Sequence, residues 1–139
     1  MTMAIDFLTF DDIVRIYQDQ INRYSGKVGI HDLNALLSAI AMPQATFEGE
    51  YLHKDICEMA AAYLFHLVQN DPFIDGNKRV GTVAALVFLD LNDVEIDVDD
   101  DELAAFVFGV ASGTHGPTPI RARTSIAVPL SSHGDIRNG

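Results

Sequence analysis

The sequence has very few cysteines and few basic residues. Cys57 is the one cysteine among 139 residues, so no disulfide can form within the chain, and a reducing compartment is the simpler expectation. Nine Lys and Arg residues stand against twenty Asp and Glu residues, which gives a formal net charge of -11. Nucleic-acid binding needs clustered Lys and Arg to neutralise phosphates, so this balance argues against a direct nucleic-acid partner.

Long hydrophobic runs are missing as well. The longest run, around residues 83–89, is far shorter than the roughly 20 residues of a membrane-spanning helix. The N-terminus has no positively charged region followed by a long apolar stretch, so no signal peptide is expected. We therefore expect a cytoplasmic protein with no membrane partner.

Helical spacing of apolar residues predicts an all-α fold. Thr9 with Asp12 three residues later predicts a capped helix start, and the spacing continues to Tyr24, where SGKVG ends the helix. A second helix is predicted from about Asp32 to the residues before Pro43. With 48% hydrophobic residues, the chain has enough apolar side chains to form a core around such helices.

The middle of the chain is predicted to contain the most buried helices. Residues 45–52 lack a long period and predict a loop or short hairpin. Residues 55–69 and about 77–91 are apolar nearly all round, which predicts two buried helices and places the second one centrally. The acidic residues 99–102 are predicted to open a fifth helix, because negative charge suits a helix N-terminus.

The C-terminal part of the sequence differs in character. The predicted fifth helix runs through Val110, and after Ser112 the chain becomes rich in Pro and Gly with little periodicity. At 139 residues the length indicates one domain. We therefore predict a single domain over residues 5–112 and a poorly ordered tail over residues 113–139.

Polar and charged residues crowd the stretch NDPFIDGNKRVG, residues 70–81, directly before a predicted buried helix. The first N–H groups of a helix lack internal partners and favour an anion, and Gly76 lets the backbone approach a ligand. Lys78 and Arg79 add positive charge suited to phosphate oxygens, and Asp75 is of the type that holds a bridging Mg²⁺. The residues alone fit either a phosphate-binding loop or a capped loop whose charges are solvated.

The segment FIDGNKR, residues 73–79, resembles the Fic/Doc family motif His-x-Phe-x-Asp/Glu-Gly-Asn-Gly/Lys-Arg. Lys78 stands where adenylyl-transferring members have glycine, and Thr82 stands where those have a second arginine; both are similar to the death-on-curing branch. The helix order and the continuation LVFLDLNDVEI extend the resemblance over about residues 9–112. It implies a helical bundle with a central buried helix and a short flap near the active site. The resemblance ends in the tail, where such proteins usually have another helix.

The resemblance also implies roles for individual residues. Phe73 would anchor the loop in the core, and Asp75 would coordinate Mg²⁺. The phosphates of ATP would be bound by Gly76, Asn77, Lys78 and Arg79. Arg79 and the residue at position 71 would be the catalytic positions, and the family has at position 71 a histidine that takes the proton of the target hydroxyl. This sequence has Asp71.

The aspartate at position 71 predicts a weakened or inactive enzyme that still binds nucleotide. Asp is shorter than His, and it adds a second negative charge beside Asp75 and the phosphates. Loss of a general base typically costs about 10²–10⁴-fold in rate. Natural decay of the site and a deliberate change both fit the sequence. His66, five residues earlier, is a candidate substitute base, although a histidine packed locally at a helix end is the commoner case.

The family resemblance implies a toxin of a toxin-antitoxin module. Such a toxin transfers phosphate from ATP to a hydroxyl of a protein target, which for this branch is a threonine of translation elongation factor Tu. A small antitoxin restrains it with a C-terminal segment, and the acidic charge here suggests that this segment carries Lys or Arg. Two alternatives stay open: AMP transfer, against which Lys78 counts, and a non-catalytic protein that binds nucleotide or antitoxin.

Overall fold

Within residues 4–95 the chain folds into four α-helices and one short hairpin. The structure, a computed structural model, describes these residues together with Asp99, Asp101, Glu102 and Ala105. The helices are α1 (Phe10–Tyr24), α2 (Leu33–Ala41), α3 (Ile56–Gln69) and α4 (Asn77–Leu91). After α2 come a 3₁₀ turn (Met42–Gln44) and the antiparallel strands β1 (Thr46–Phe47) and β2 (Glu50–Tyr51). The prediction of an all-α fold with a short hairpin is confirmed.

Side chains cap the first three helices, and the cap of α1 by Thr9 and Asp12 is the one predicted from the sequence. The Thr9 hydroxyl accepts a hydrogen bond from the Asp12 N–H at 3.1 Å, and the Asp12 carboxylate accepts one from the Thr9 N–H at 2.8 Å. Asp32 and Asp55 each accept from the N–H three residues later, at 3.0 and 2.8 Å. Each cap satisfies an N–H group that the helix itself leaves without a partner.

The core lies mainly between α3 and α4, which share the largest helix–helix interface, while α1 packs on α4 and α2 packs on α3. Gly81 of α4 allows the close approach of α3, because a Cβ at this position would lie 3.1 Å from the Leu64 Cδ1 and 3.3 Å from the Leu64 carbonyl oxygen. The largest fully buried side chains of the two helices are Met59, Tyr63, Leu64, Leu67, Val80, Phe88 and Leu89.

The segment before α1 is held to α3 and to the end of α4. The Leu8 N–H donates to the buried Tyr63 hydroxyl at 2.8 Å. Burial raises the pKa of Tyr63 to about 12, against the opposing effect of this hydrogen bond. The side chain of Asn92 accepts from the Asp6 N–H at 2.9 Å and donates to the Asp6 carbonyl at 3.0 Å. These hydrogen bonds fix the segment before α1 against α3 and the end of α4.

The start of the predicted fifth helix is partly described. Asp101, Glu102 and Ala105 are helical. Asp99 accepts from the Glu102 N–H at 2.8 Å, and the Glu102 carboxylate accepts from the Asp99 N–H at 3.2 Å, which is a reciprocal N-terminal cap. The predicted helix end at Val110, the domain boundary at Ser112 and the tail 113–139 lie outside the described residues. Among the helices that the structure describes, none is long and apolar enough to cross a membrane.

Candidate functional site

The motif loop, residues 70–76, leads from α3 to α4 and pairs with the α1–α2 loop, residues 25–32. The Pro72 carbonyl accepts from the N–H groups of residues 31 and 32, at 2.8 and 3.1 Å. Two residues later the Ile74 N–H donates to the Gly29 carbonyl at 3.0 Å. The two loops therefore lie side by side like a short antiparallel ladder, although they are more than forty residues apart in sequence.

Phe73 ties the motif loop to the core. Its side chain is buried, and its ring stacks on Tyr17 of α1 with a centroid distance of 4.1 Å and an interplanar angle of 7°. The Tyr17 hydroxyl accepts from the Gly29 N–H at 2.6 Å. One α1 side chain thus contacts both loops.

The amide of Asn77 fixes the inner shape of the motif loop. Its Oδ1 accepts from the Phe73 N–H at 2.9 Å, and its Nδ2 donates to the Phe73 carbonyl at 2.9 Å and to the Asp71 Oδ1 at 2.7 Å. Asp71 has a φ of 52°, a conformation in which Asp, Asn and His are the commoner non-glycine residues. The Asn77 side chain therefore bonds within the loop, and its backbone N–H lies at the first position of α4.

The N-terminus of α4 differs from those of α1, α2 and α3, because no side chain caps it. Gly76 stands at the cap position with a φ of 86°, which glycine adopts without steric cost. The first-turn N–H groups of Asn77, Lys78 and Arg79 have no partner within the helix, and they carry the positive end of the helix dipole. This end of α4 is suited to an anion.

Arg79 is held in place from the α1–α2 side. Its Nη2 donates to the Ser25 carbonyl at 3.3 Å, and its guanidinium lies over the Tyr24 ring at 5.4 Å from the centroid. Among the described residues, its Nε is buried without a hydrogen-bond partner. Such an orphaned donor is costly unless a ligand or solvent satisfies it.

Asp75 has the chemistry that Mg²⁺ requires. Its Oδ1 accepts from the Gly76 N–H at 3.0 Å, and its Oδ2 accepts from the Lys27 N–H at 3.3 Å, so each oxygen keeps a lone pair for a cation. The side chain is exposed, and Mg²⁺ binds proteins through one or two carboxylates together with substrate phosphates. The described residues hold no cluster of three or more His, Cys, Asp or Glu that could bind a metal by themselves.

The predicted polar site residues line one open cleft of about 500 Å³. It is bordered by Val68, Asp71, Ile74, Asp75, Gly76, Asn77, Lys78 and Arg79. Phe73 is buried in the core and does not line this cleft. The structure therefore brings together all the residues that the sequence analysis assigned to phosphate and metal.

His66, the candidate substitute base, stands apart from this cleft and is not among the residues that line it. Its ring packs edge-on against Phe65 at 4.9 Å in the last turn of α3. Burial, and secondarily the charge of His53, lowers the pKa of His66. This is the locally packed histidine that the sequence analysis weighed as the commoner case.

Within residues 4–95, the Lys and Arg side chains that form no ion pair with a described residue lie at or beside the motif loop. Arg15, Arg23 and Lys54 pair with Asp12, Asp19 and Glu50 respectively. The other three cations within residues 4–95 form no ion pair with a described residue, and they lie at the motif loop or on the loop beside it: Lys27, Lys78 and Arg79. Within residues 4–95, the cations without an ion pair to a described residue therefore lie where an anion would bind.

The contribution of the end of α1 and of the α1–α2 loop was not predicted from the sequence. Tyr24, Ser25, Gly26 and Lys27 were interpreted as a helix end, yet they contact Asp75 and Arg79. Two of these contacts are made by backbone groups, which no side-chain motif encodes. The glycines on either side of Lys27 and Val28 were the available indication that another segment approaches closely.

Comparison with known proteins agrees with the sequence motif. The profile of the Fic/DOC family matches residues 7–89. The chain is 37% identical over 78 residues to a protein named Toxin Doc from Mycolicibacterium smegmatis, a match that covers 56% of this chain and 60% of that protein. It is 32% identical over 103 residues to a protein named Protein kinase doc from Escherichia phage P1, covering 74% of this chain and 80% of that protein. This chain belongs to the Fic/Doc family.

Proposed function

We propose that this protein is a toxin of a toxin-antitoxin module that transfers the γ-phosphoryl group of ATP to a hydroxyl of a protein target, weakly or not at all in the present form. The observation that carries the proposal is the uncapped N-terminus of α4, where Gly76 exposes the first-turn N–H groups beside Lys78 and Arg79. The names of the two relatives, Toxin Doc and Protein kinase doc, support the toxin and kinase assignments.

The cleft suits a triphosphate on electrostatic grounds. Helix N–H groups, an arginine fork and a lysine are the donors that bind phosphate oxygens in proteins. The buried Nε of Arg79 is an additional donor without a partner among the described residues. Asp75 would hold Mg²⁺, which when bound neutralises charge on the phosphates.

The proposed reaction exchanges one phosphorus–oxygen bond for another. The target hydroxyl oxygen bonds to the γ-phosphorus, the bond from that phosphorus to the β–γ bridging oxygen breaks, and ADP leaves. The hydroxyl proton passes to a base. We assign this role to Asp71, and its position in the lining of the cleft beside Asp75 and Asn77 supports the assignment.

Asp71 makes a poor replacement for a histidine base. Its Oδ1 already accepts a hydrogen bond from the Asn77 amide at 2.7 Å. Its charge adds to that of Asp75 and of the phosphates, which repel one another unless a metal compensates. Protein kinases do use an aspartate to accept the substrate proton, so the residue type does not forbid the reaction. We expect a rate about 10²–10⁴-fold below that of the histidine form.

Family membership supports the proposed partners. We propose that the target is translation elongation factor Tu and that a cognate antitoxin binds through its C-terminal segment. The net charge of -11 favours a segment that carries Lys or Arg, because opposite charges accelerate association.

Two other functions make different predictions for the same cleft. AMP transfer would use the α-phosphorus, and Lys78 in place of the motif glycine counts against it. A non-catalytic protein would bind nucleotide or antitoxin without chemistry, and the internal hydrogen bond of Asp71 is the observation that favours it.

The proposal is tested with the full chain and its Asp71→His variant. Calorimetry with ATP and Mg²⁺ measures binding, and incubation with elongation factor Tu and ATP labelled at either the α- or the γ-phosphate measures transfer. We expect both forms to bind ATP and the histidine form to transfer the γ-label much faster. Growth after expression without antitoxin gives an independent readout.

Each result identifies one function. Transfer of the α-label would establish AMP transfer in place of phosphorylation. Binding by both forms with transfer by neither would favour the non-catalytic protein. If neither form binds ATP, the phosphate-binding role of the cleft is wrong.

A further inference from the structure

We propose that residues 24–29, the last residue of α1 and the first part of the α1–α2 loop, are a positioning element of the site, which orients the Asp75 carboxylate and the Arg79 guanidinium before nucleotide binds. In this arrangement Gly26 and Tyr24 are positioning residues, and neither belongs to the family motif. The inference rests on the proposed binding of ATP and Mg²⁺ at the motif loop.

The orientation of Asp75 depends on the α1–α2 loop. The Gly76 N–H holds Oδ1 at 3.0 Å, and the Lys27 N–H holds Oδ2 at 3.3 Å. Two donors on opposite oxygens restrict rotation of an otherwise exposed carboxylate. Because the Lys27 donor is a backbone group, its position is set by the path of the loop and not by the lysine side chain.

Gly26 provides the space for this contact. A Cβ at this position would lie 3.0 Å from the Asp75 Oδ2 and 3.4 Å from the Ile21 Cδ1. Gly26 also has a φ of 127°, which other residues rarely adopt. Any side chain at position 26 would therefore displace the carboxylate, the loop or both.

Arg79 is oriented by the preceding two residues of the same segment. The Ser25 carbonyl accepts from its Nη2, and the Tyr24 ring lies under the guanidinium. A carbonyl and a ring face restrict the plane of the guanidinium, and its buried Nε has no hydrogen-bond partner among the described residues. The hydrogen bonds between Gly29 and Ile74 and between Gly29 and Tyr17 keep the segment in register with the motif loop.

The first test separates metal-dependent from metal-independent nucleotide binding. ATP affinity is measured by calorimetry in excess Mg²⁺ and in EDTA. Gly26→Ala is expected to lose about tenfold in affinity with Mg²⁺, the worth of one charge-assisted hydrogen bond, and to stay within about twofold in EDTA. Asp75→Asn should show the same pattern.

Gly49→Ala is the matched control. Gly49 also has a positive φ, 82°, but no atom lies within 4 Å of its would-be Cβ. Gly49→Ala therefore introduces the strain of an alanine at positive φ without placing a Cβ close to Asp75. Equal losses in the two variants, or an unchanged Mg²⁺ response in Gly26→Ala, would overturn the assignment of Gly26.

A second pair of variants tests the Arg79 contact. Tyr24→Ala removes the ring and is expected to lower ATP affinity about threefold both with Mg²⁺ and in EDTA, while Tyr24→Phe keeps the ring and should bind like the unchanged chain. An effect confined to Mg²⁺, or a Phe variant as weak as the Ala variant, would contradict a role through Arg79.

A third measurement does not depend on nucleotide at all. The exchange rate of the Lys27 amide proton is measured by NMR at neutral pH in the unchanged chain and in Asp75→Ala. We expect exchange to be at least about threefold faster in the Ala variant, because the amide loses its acceptor. If the unchanged chain binds no ATP, the proposed function fails while this rate still decides the positioning contact; equal rates in the two proteins would overturn the positioning inference on their own.

Discussion

Asp71 is part of the internal bonding of the motif loop as well as a candidate base. The same Asn77 amide group donates to its carboxylate and to the Phe73 carbonyl. Through the Asn77 amide, Asp71 in the cleft is therefore connected to the backbone of Phe73, whose side chain is buried in the core. A side chain that replaces Asp71 must either accept this hydrogen bond or leave one amide proton of Asn77 to solvent.

Lys27 is predicted to strengthen nucleotide binding through its charge. Its backbone N–H contacts Asp75, and its ammonium forms no ion pair with a described residue, so it adds positive potential to the loop beside Asp75. Lys27→Gln is expected to weaken ATP binding about threefold at low ionic strength and hardly at all in about 1 M salt, where screening is strong. Calorimetry at two salt concentrations measures this.

Arg15→Gln is the charge-matched control for Lys27→Gln. Arg15 is exposed and lies 4.0 Å from Asp12 on α1. If both variants weaken ATP binding equally, the effect comes from net charge and not from the position of Lys27. If Lys27→Arg binds ATP as weakly as Lys27→Gln, the charge at position 27 is not the cause of the loss in affinity.

Tyr63 makes stability depend on alkaline pH. Its folded pKa is about 12, above the ordinary value of 10, because burial disfavours the phenolate. The neutral phenol therefore contributes stability that is fully present below pH 10 and is lost as the pH rises from 10 towards 12. We expect the unfolding free energy to fall by about 2 kcal/mol over that interval from this group.

Tyr63→Phe isolates the contribution of the phenol. The variant leaves the Leu8 N–H without its acceptor, so it should be less stable by about 1–3 kcal/mol at neutral pH. Urea unfolding at a series of pH values should show the gap between the two proteins narrowing above pH 10. A constant gap would mean that Tyr63 titrates as it does in the unfolded chain.

At the level of elements, the helices were predictable and the pairing of loops was not. Thr9, Asp32 and Asp55 mark helix starts through bonds to residues three positions away, so the sequence alone contains the cause. The start of α4 is also marked locally, by Gly76 at the cap position. The contact of Lys27 with Asp75 joins residues 48 positions apart through a backbone donor, and nothing local specifies it.

The candidate site divides in the same way. The motif residues from Asp71 to Arg79 could be assigned because they are close in sequence and share a family pattern. The orientation of Asp75 and Arg79 could not, since it comes from residues 24–27 folding back onto them. The internal use of the Asn77 amide was also unforeseen, because side-chain type does not reveal which partner an amide bonds.

The α3–α4 interface depends on the absence of a side chain at Gly81. A Cβ there would already lie 3.1 Å from Leu64, so Gly81→Val is expected to lower the unfolding free energy by about 1–3 kcal/mol, despite its better helix propensity. Denaturant unfolding measures the change.

Asp90→Val, at an exposed position of α4, is the control for Gly81→Val. It places the same side chain at a solvent-exposed position of the same helix and should change the unfolding free energy by no more than about 0.5 kcal/mol. Similar losses in both variants would point to valine in the helix rather than to the interface.

For the whole molecule, the predicted domain of residues 5–112 can be tested by shortening the chain. A protein that ends at Ser112 is expected to keep the melting temperature and the ATP affinity of the full chain, because the described core and the cleft are formed by residues 4–95. Calorimetric melting and ATP titration of the two lengths measure this. A large fall in either quantity would show that residues 113–139 belong to the folded unit.

The net charge also acts on the whole molecule. Twenty acidic residues against nine basic ones repel polyanions at long range, while the three cations of residues 4–95 without an ion pair to a described residue would attract phosphate at the motif loop. With the proposed function, the protein would combine general repulsion of nucleic acid with local attraction of a nucleotide. Ionic strength should affect these two processes in opposite directions.

The positive φ of Asp71 limits which residue types this position tolerates. Asp, Asn and His are the non-glycine residues that adopt such a backbone most readily, and glycine adopts it without steric cost. The genetic code connects the first three through changes of the first codon base alone. A cell carrying this gene is therefore one point mutation from a histidine at position 71, on a backbone already shaped to accept it. That single mutation would give the Asp71→His form whose activity is proposed above, without any second change in the loop.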